Sequence, residues 1–260
     1  MQGDPKWYDS VWLSVYYAAK DIVARVAPEK LEPFIRSFDV LRTRPDFSTV
    51  RLPQVIDPAL LGEIRATVRA VPREKYEMHE LKNFGRFVVH DLPEFTALQH
   101  RMTDQVSGWA GEAVEPSYNF LSLYTRMGIC EPHLDSPSAK WTLDICIDQS
   151  EPWPIHFSKI IAWPEDRPHM AQDWRAEICG NGDLGFESVA MAPGDAVLFS
   201  GSSQWHYREA HPRGGGKHFC DLLFFHYIPK GAGELIRASN WAALFGIPEL
   251  ADIPLIEKAR

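Results

Sequence analysis

The chain is poor in cysteine, carries no excess of positive charge, and has neither a long apolar run nor an internal repeat. Cys130, Cys146, Cys179 and Cys220 are widely spaced over 260 residues, with no C-x-x-C pair. This excludes a disulfide scaffold and the common zinc or redox motifs; buried thiols in a reducing compartment are expected. The 27 basic residues are outnumbered by 35 acidic ones, a formal charge of −8. Neutralising phosphates needs a basic face, so a protein whose main task is gripping nucleic acid is excluded. No apolar stretch approaches the roughly 18 residues of a membrane span, and Met1-Gln2-Gly3-Asp4-Pro5 lacks the charged and apolar regions of a secretory signal. A cytoplasmic protein without nucleic-acid or membrane partners is expected.

The remaining composition, 45% hydrophobic and 24% charged, is that of a globular protein and excludes disorder, collagen and coiled coil. The first part reads as helical. Apolar residues recur every three or four positions through Trp12, Val15, Tyr16, Ala19, Ile22, Val23 and Val26, and Pro28 stops them. With Trp7 and Tyr8, this helix presents an aromatic face that is a candidate homodimer contact. Asp57-Pro58 predicts an N-cap and a first helical residue, with a helix running to about Val71. A third helix is predicted from about Pro93 to Trp109, before Gly111.

From about residue 117 the texture changes to short β-rich runs: Tyr118 to Tyr124, Trp141 to Ile147, Ile155 to Ala162, Phe186 to Met191, Ala196 to Phe199 and Phe219 to Tyr227. Turn signals such as Gly180-Asn181-Gly182, Pro193-Gly194-Asp195 and Gly214-Gly215-Gly216 separate them. Glu234 to Phe245 reads as helical again. The expected architecture is one α+β domain: a mainly helical flank over 1–115, a jelly-roll core over 116–230, and a helical extension over 231–260.

Ten histidines and 17 aspartates produce about 0.7 His-x-Asp pairs by chance, so the single pair, His133 and Asp135, gains weight from its context. It follows the Tyr118 to Tyr124 strand and precedes Ser136-Pro137 and the Trp141 strand. On extended backbone, residues i and i+2 point to one side, so an imidazole and a carboxylate can meet one cation. The best second histidine is His206, beyond Gly194-Asp195-Ala196-Val197-Leu198-Phe199; His211 is the alternative. Two histidines and one carboxylate on one face of a metal form the facial triad of non-haem Fe(II) oxygenases, with three positions open.

The ordered set of Tyr124, His133-x-Asp135, the glycine-turn strand 194–199, His206 and a basic residue opening the strand Lys217 to Phe225 resembles the Fe(II)/2-oxoglutarate-dependent dioxygenases over roughly residues 117–229. The motif layout is similar to that of prolyl-hydroxylase-like members. The resemblance implies a double-stranded β-helix, or distorted jelly roll, flanked by helices. It also implies Fe(II) on His133, Asp135 and His206, with 2-oxoglutarate as co-substrate and O₂ as oxidant. A cation about ten residues past the distal histidine would take the far carboxylate of 2-oxoglutarate. Lys217, 11 positions on, fills that place ahead of Arg213, and Tyr124 resembles the tyrosine that reaches the same molecule. The chain departs from the family's more frequent Arg-x-Ser/Thr, having Phe219 two residues after Lys217. Asp135 speaks against a halogenase of the family, which would need a small residue there.

Arg126, Trp141, Trp205 and Arg208 lie near these ligands in sequence and are candidate substrate contacts, and the insert 163–183 is a candidate lid. His156, His218 and His226 are assigned structural or surface roles, and His79, His90, His100 and His169 structural ones. The implied reaction is hydroxylation of an unactivated carbon in a small or amino-acid-like molecule, with release of succinate and CO₂. Hydroxylation of a peptidyl residue is the enzyme alternative. A cupin-type metalloenzyme that does not use 2-oxoglutarate, and a binding module without redox activity, are the readings from outside the family.

Overall fold

The computed structural model describes residues 10–163, 174–211 and 218–253. Helices α1 (Ser10–Val26), α2 (Leu31–Ser37), α3 (Pro58–Ala70), α4 (Leu81–Phe84), α5 (Pro93–Arg101) and α6 (Thr103–Ala110) precede most of the strands. Helices α7 (Trp174–Gly180), α8 (Gly233–Ile236) and α9 (Trp241–Phe245) follow later in the chain. The strands are β1 (Val50–Leu52), β2 (Arg86–His90), β3 (Val114–Tyr124), β4 (Cys130–His133), β5 (Trp141–Gln149), β6 (Ile155–Phe157), β7 (Glu187–Val189), β8 (Ala196–Phe199), β9 (His206–Arg208) and β10 (Cys220–Pro229).

Two antiparallel sheets form the walls of the β-core, one ordered β1-β8-β5-β10-β3-β2 and the other β4-β9-β6-β7. Strand β10 shows how one sequence serves two packed faces. Cys220, Leu222 and Phe224 turn inward and meet Phe157, Ile155 and Val189 of the smaller sheet. The alternate Leu223, Phe225 and Tyr227 turn outward, against Leu61, Ile64 and Val68 of α3, Phe95 and Leu98 of α5, and Val106 of α6. Burial on both faces explains why the strand reads as a near-continuous apolar run. Asp57 caps α3 as expected, its Oδ1 accepting from the backbone N–H of Ala59 and Leu60 at 2.9 and 3.0 Å. The predicted third helix is two, broken at Met102 between α5 and α6.

The helical flank also supplies strands that the sequence reading did not foresee. Strand β1 pairs with β8, and β2 pairs with β3 from Arg86↔Tyr124 to His90↔Phe120. They lie at the two edges of the large sheet, where three to five residues suffice.

The described aromatic residues of α1 pack within the chain, and a dimer contact through this helix is not shown. Trp12 packs on Trp241 with ring centroids 5.6 Å apart, Tyr16 on Phe38 at 5.0 Å, and Phe38 on Trp241 at 5.2 Å. The indole of Trp12 donates to the Ile236 carbonyl at 2.7 Å and that of Trp241 to the Leu235 carbonyl at 2.7 Å. Trp7 and Tyr8 lie outside the described residues. Among the described residues, no helix is long and apolar enough to cross a membrane.

One sheet position works against stability. Asp221 on β10 lies directly opposite Asp148 on β5, and like charges facing across an antiparallel pair repel. Asp148 has a partner, Arg65, at 3.2 Å. Burial, with the Asp148 charge added, pushes the Asp221 carboxyl up to about 6. The folded chain keeps a proton that the unfolded chain releases near pH 4, so this residue costs stability progressively as pH rises through the window from about 4 to about 6. Asp221→Asn is expected to raise the unfolding free energy by about 1–3 kcal/mol near pH 7.5 and to change it little near pH 4, read by urea denaturation at both.

Candidate metal centre

His133 ends β4 and His206 begins β9, and the two face each other in register across this antiparallel pair. Directly opposed residues hold their Cβ atoms about 5 Å apart, and here the ring centroids are 4.1 Å apart. Alternation fixes the rest. Leu134 and Trp205, the neighbours of these histidines, are buried in the cluster built by α1, α2, α8 and α9, which turns His133, Asp135 and His206 the other way.

Each histidine has its tautomer set by the backbone two residues before it. Nδ1 of His133 donates to the Glu131 carbonyl at 2.8 Å, and Nδ1 of His206 to the Gln204 carbonyl at 3.0 Å. A carbonyl can only accept, so the proton sits on Nδ1 and the Nε2 lone pair is free, the arrangement found around metal-bound histidines. The two Nε2 atoms lie 3.5 and 3.7 Å from Asp135 Oδ1 and Oδ2. Ligands of about 2.1 Å bond length at right angles on a first-row cation are about 3 Å apart, so a small contraction places all three around one ion.

Gly201 makes room for this. Its carbonyl accepts from the Asp135 N–H at 2.9 Å, and a Cβ there would lie 2.3 Å from Asp135 Oδ2 and 2.6 Å from the Ala139 carbonyl oxygen. Burial alone would raise the Asp135 carboxyl, but the imidazoles of His206 and His133 hold it well below the usual carboxylate range. Burial, with His133 alongside, pushes His206 down to about 4. Both shifts favour the forms that bind a cation, an ionised carboxylate and a neutral imidazole, whereas Cys130 and Asp135 outweigh burial and push His133 up, so a cation binding there displaces a proton. Two imidazole nitrogens and a carboxylate, with the His133 side chain still 34% exposed, are a donor set that fits Fe(II).

Further along the barrel interior lie two buried guanidiniums, each with its own carboxylate. Arg208, two residues past His206, pairs with Asp144 of β5 at 2.8 Å and also donates to the Trp153 carbonyl. Arg86 of β2 pairs with Glu80 at 2.5 Å and donates to the Tyr124 hydroxyl at 2.8 Å. Tyr124 is buried with its ring 4.9 Å from that of Trp153. Arg86 and Asp144 were not singled out by the sequence reading; Arg86 stands outside the stretch that carries the resemblance, and only the β2–β3 register brings it to Tyr124.

Several sequence-based assignments fall elsewhere. Trp141 points outward from β5 into the helix-side core, 4.7 Å from Phe47, and its indole donates to Glu112. Trp205 is buried beneath the helical cluster. Neither lines a pocket at the triad, because each sits on the wrong side of its strand. Arg126 is exposed in the turn after β3. His211 joins Glu151 and His218, not the triad. Lys217, Arg213 and His169 lie outside the described residues, as does the stretch 164–173 of the expected lid. His226 is buried on the inner face of β10, stacked on Tyr118 at 4.1 Å, and near enough to add to the field at Asp135.

The Gly201 contact has a direct consequence. Gly201→Ala is expected to weaken Fe(II) or Mn(II) uptake by about 100-fold or more although every ligand is retained. Gly62→Ala, on α3 where a Cβ meets nothing within 4 Å, should leave uptake unchanged and preserve or slightly increase stability. Metal titration of both variants, with circular dichroism as the fold control, reads the difference.

No protein-family model matches the chain, and no curated protein does. Solved structures do. HygX from Streptomyces hygroscopicus, solved with nickel, 2-oxoglutarate and hygromycin B bound, is 12% identical with a TM-score of 0.51, over 76% of this chain and 86% of that one. SnoK, a non-haem α-ketoglutarate-dependent carbocyclase from nogalamycin biosynthesis, is 14% identical with a TM-score of 0.55, over 76% and 88%. SnoN, an epimerase of the same dependence and pathway, is 15% identical with a TM-score of 0.51, over 87% and 92%. This chain has the double-stranded β-helix fold of these 2-oxoglutarate-dependent enzymes.

Proposed function

We propose that the protein is an Fe(II)- and 2-oxoglutarate-dependent oxygenase. The observation that carries this reading is the convergence of His133 Nε2, His206 Nε2 and the Asp135 carboxylate, with both histidine tautomers set for metal binding. Three ligands on one face leave room for a bidentate keto acid and for O₂. When bound, the iron with these two co-substrates supplies the oxidation of a substrate carbon, with succinate and CO₂ released.

The chain's own residues bind and orient. Tyr124 accepts a hydrogen bond from Arg86, which leaves its own O–H free to donate to a carboxylate of 2-oxoglutarate. Arg86 and Arg208 are each already neutralised by a carboxylate. A further cation is therefore needed for the 5-carboxylate, and Lys217 at the start of the last strand is the choice, with Arg213 as the alternative. Arg208 acts from within the protein, holding Asp144 across the barrel, and is not assigned to substrate. The substrate is a small molecule; the neighbour solved with hygromycin B and the two from nogalamycin biosynthesis support that class, and hydroxylation is the reaction proposed. The described cysteines are free thiols, three of them buried, which suits the reducing setting of the cytoplasm.

Incubation with Fe(II), ascorbate and 2-oxoglutarate should release succinate, and Asp135→Ala should abolish that release while leaving the fold intact. Turnover that survives Asp135→Ala would refute the metal assignment. Lys217→Ala is expected to raise the apparent KM for 2-oxoglutarate by about tenfold or more, the order expected for a lost charge-assisted contact. If Arg213→Ala does so instead, the anchor is Arg213.

A further inference from the structure

A second group of metal-binding side chains stands apart from the triad. Glu151 follows β5, His211 follows β9, and His218 precedes β10; one ligand atom from each lies within 4.8 Å of the others. Three separate segments converge here, and the backbone already holds each of them. The Ser150 N–H donates to the Phe219 carbonyl at 3.0 Å, and the Phe219 N–H donates to Ser150 Oγ at 3.1 Å, which fixes the neighbours Glu151 and His218. The His211 N–H donates to the Gly128 carbonyl at 3.0 Å.

The His211 side chain is the unusual member. It is 3% exposed, and among the described residues neither ring nitrogen has a hydrogen-bond partner. Its ring lies on the face of Trp153 with centroids 4.1 Å apart. Gly128 approaches so closely that a Cβ there would meet His211 Cδ2 at 2.8 Å. A buried imidazole with both nitrogens unpaired is costly, and native structures rarely leave such groups unsatisfied. His218 is held by Glu151, Nδ1 to Oε1 at 2.7 Å, so two donors of the set are already in mutual contact.

We propose that Glu151, His211 and His218 form a second cation site, selective for a divalent transition ion of the Zn²⁺ type. Two imidazoles and one carboxylate are the donors such an ion takes, in a tetrahedral set with one position left for water. Bound there, the ion occupies one unpaired nitrogen of His211 and ties the two ends of the β9–β10 connection to the segment after β5. In sequence, His211 and His218 flank the stretch that carries Arg213 and Lys217, and the site uses no residue of the triad. The proposal stands on the geometry of these three residues and does not depend on the oxygenase reading.

Calorimetric titration of the untagged full chain with Zn²⁺ tests it. The wild type should take up two ions per chain, and His133→Ala/His206→Ala, which removes the triad, should keep one. In that background, His211→Ala and Glu151→Gln should each weaken the remaining ion by about tenfold or more. Glu151 is half exposed and pairs with His218, so Glu151→Gln remains informative if His211→Ala does not fold. Uptake of a single ion by the wild type, lost with the triad, would overturn the proposal. So would a second ion bound equally well in both variants.

Discussion

The pairing of β4 with β9 is the constraint on which the candidate metal centre depends. It sets His133 opposite His206, and the two-residue alternation of extended backbone does the rest. A slip of one residue in this register would exchange inward and outward side chains. The imidazoles would then enter the helical cluster, and Leu134 and Trp205 would point at the cation. The apolar demand of that cluster is therefore what keeps the ligands aimed. Trp12, Tyr16, Phe38 and Trp241 are remote in sequence from the triad, yet the cluster they form gives Leu134 and Trp205 somewhere to go. Hydrophobic burial, which has no direction of its own, becomes directional through the strand period.

The interior of the β-core obeys a second rule: each buried cation has its own counter-charge. Arg208 has Asp144 and Arg86 has Glu80. An unpaired guanidinium in this volume would carry a desolvation penalty of several kcal/mol. Pairing means that these arginines hold strands together and orient Tyr124, and that an entering dicarboxylate needs a cation not yet committed. Arg86 enters from an edge strand that belongs to the helical flank, so the flank contributes to the interior directly. Treating residues 1–115 as an envelope around a separate core misses this.

Much of this arrangement can be read in the sequence, and what cannot has a physical reason. Long elements with a clear period or cap are legible, α1 from its apolar recurrence and α3 from Asp57-Pro58, and β5, β8 and β10 are legible from apolar runs bounded by turns. Strands β1, β4 and β9, three or four residues long, show neither a period nor an apolar run, and two of them carry His133 and His206. His133, Asp135 and His206 were accessible because the His-x-Asp spacing and the order of the surrounding runs restrict the choice. Trp141 and Trp205 were misplaced because proximity in sequence says nothing about the side of a strand, which for these large rings is the outer one. Arg86 and Asp144 leave no local signal; only pairing across strands brings them to Tyr124 and Arg208.

Strand β9 and the residues after it concentrate the polar chemistry of the fold. His206 and Arg208 share a face by the period of two, and His211 follows once the strand has ended. Trp153 ties the last two together: Arg208 lies over its ring at 5.1 Å and His211 stacks on it at 4.1 Å. The same ring meets Tyr124. One buried tryptophan therefore touches a guanidinium that braces the barrel, a tyrosine oriented toward its interior, and the histidine of the outer cluster. An indole at this junction suits all three, because its one polar ring atom, Nε1–H, donates to the Glu209 carbonyl at 2.8 Å, and its faces offer no acceptor that would compete with the Asp144 carboxylate for Arg208 or with a cation for His211. Polar substitution there would disturb each neighbour by a different route, whereas an aromatic of similar size would preserve the contacts.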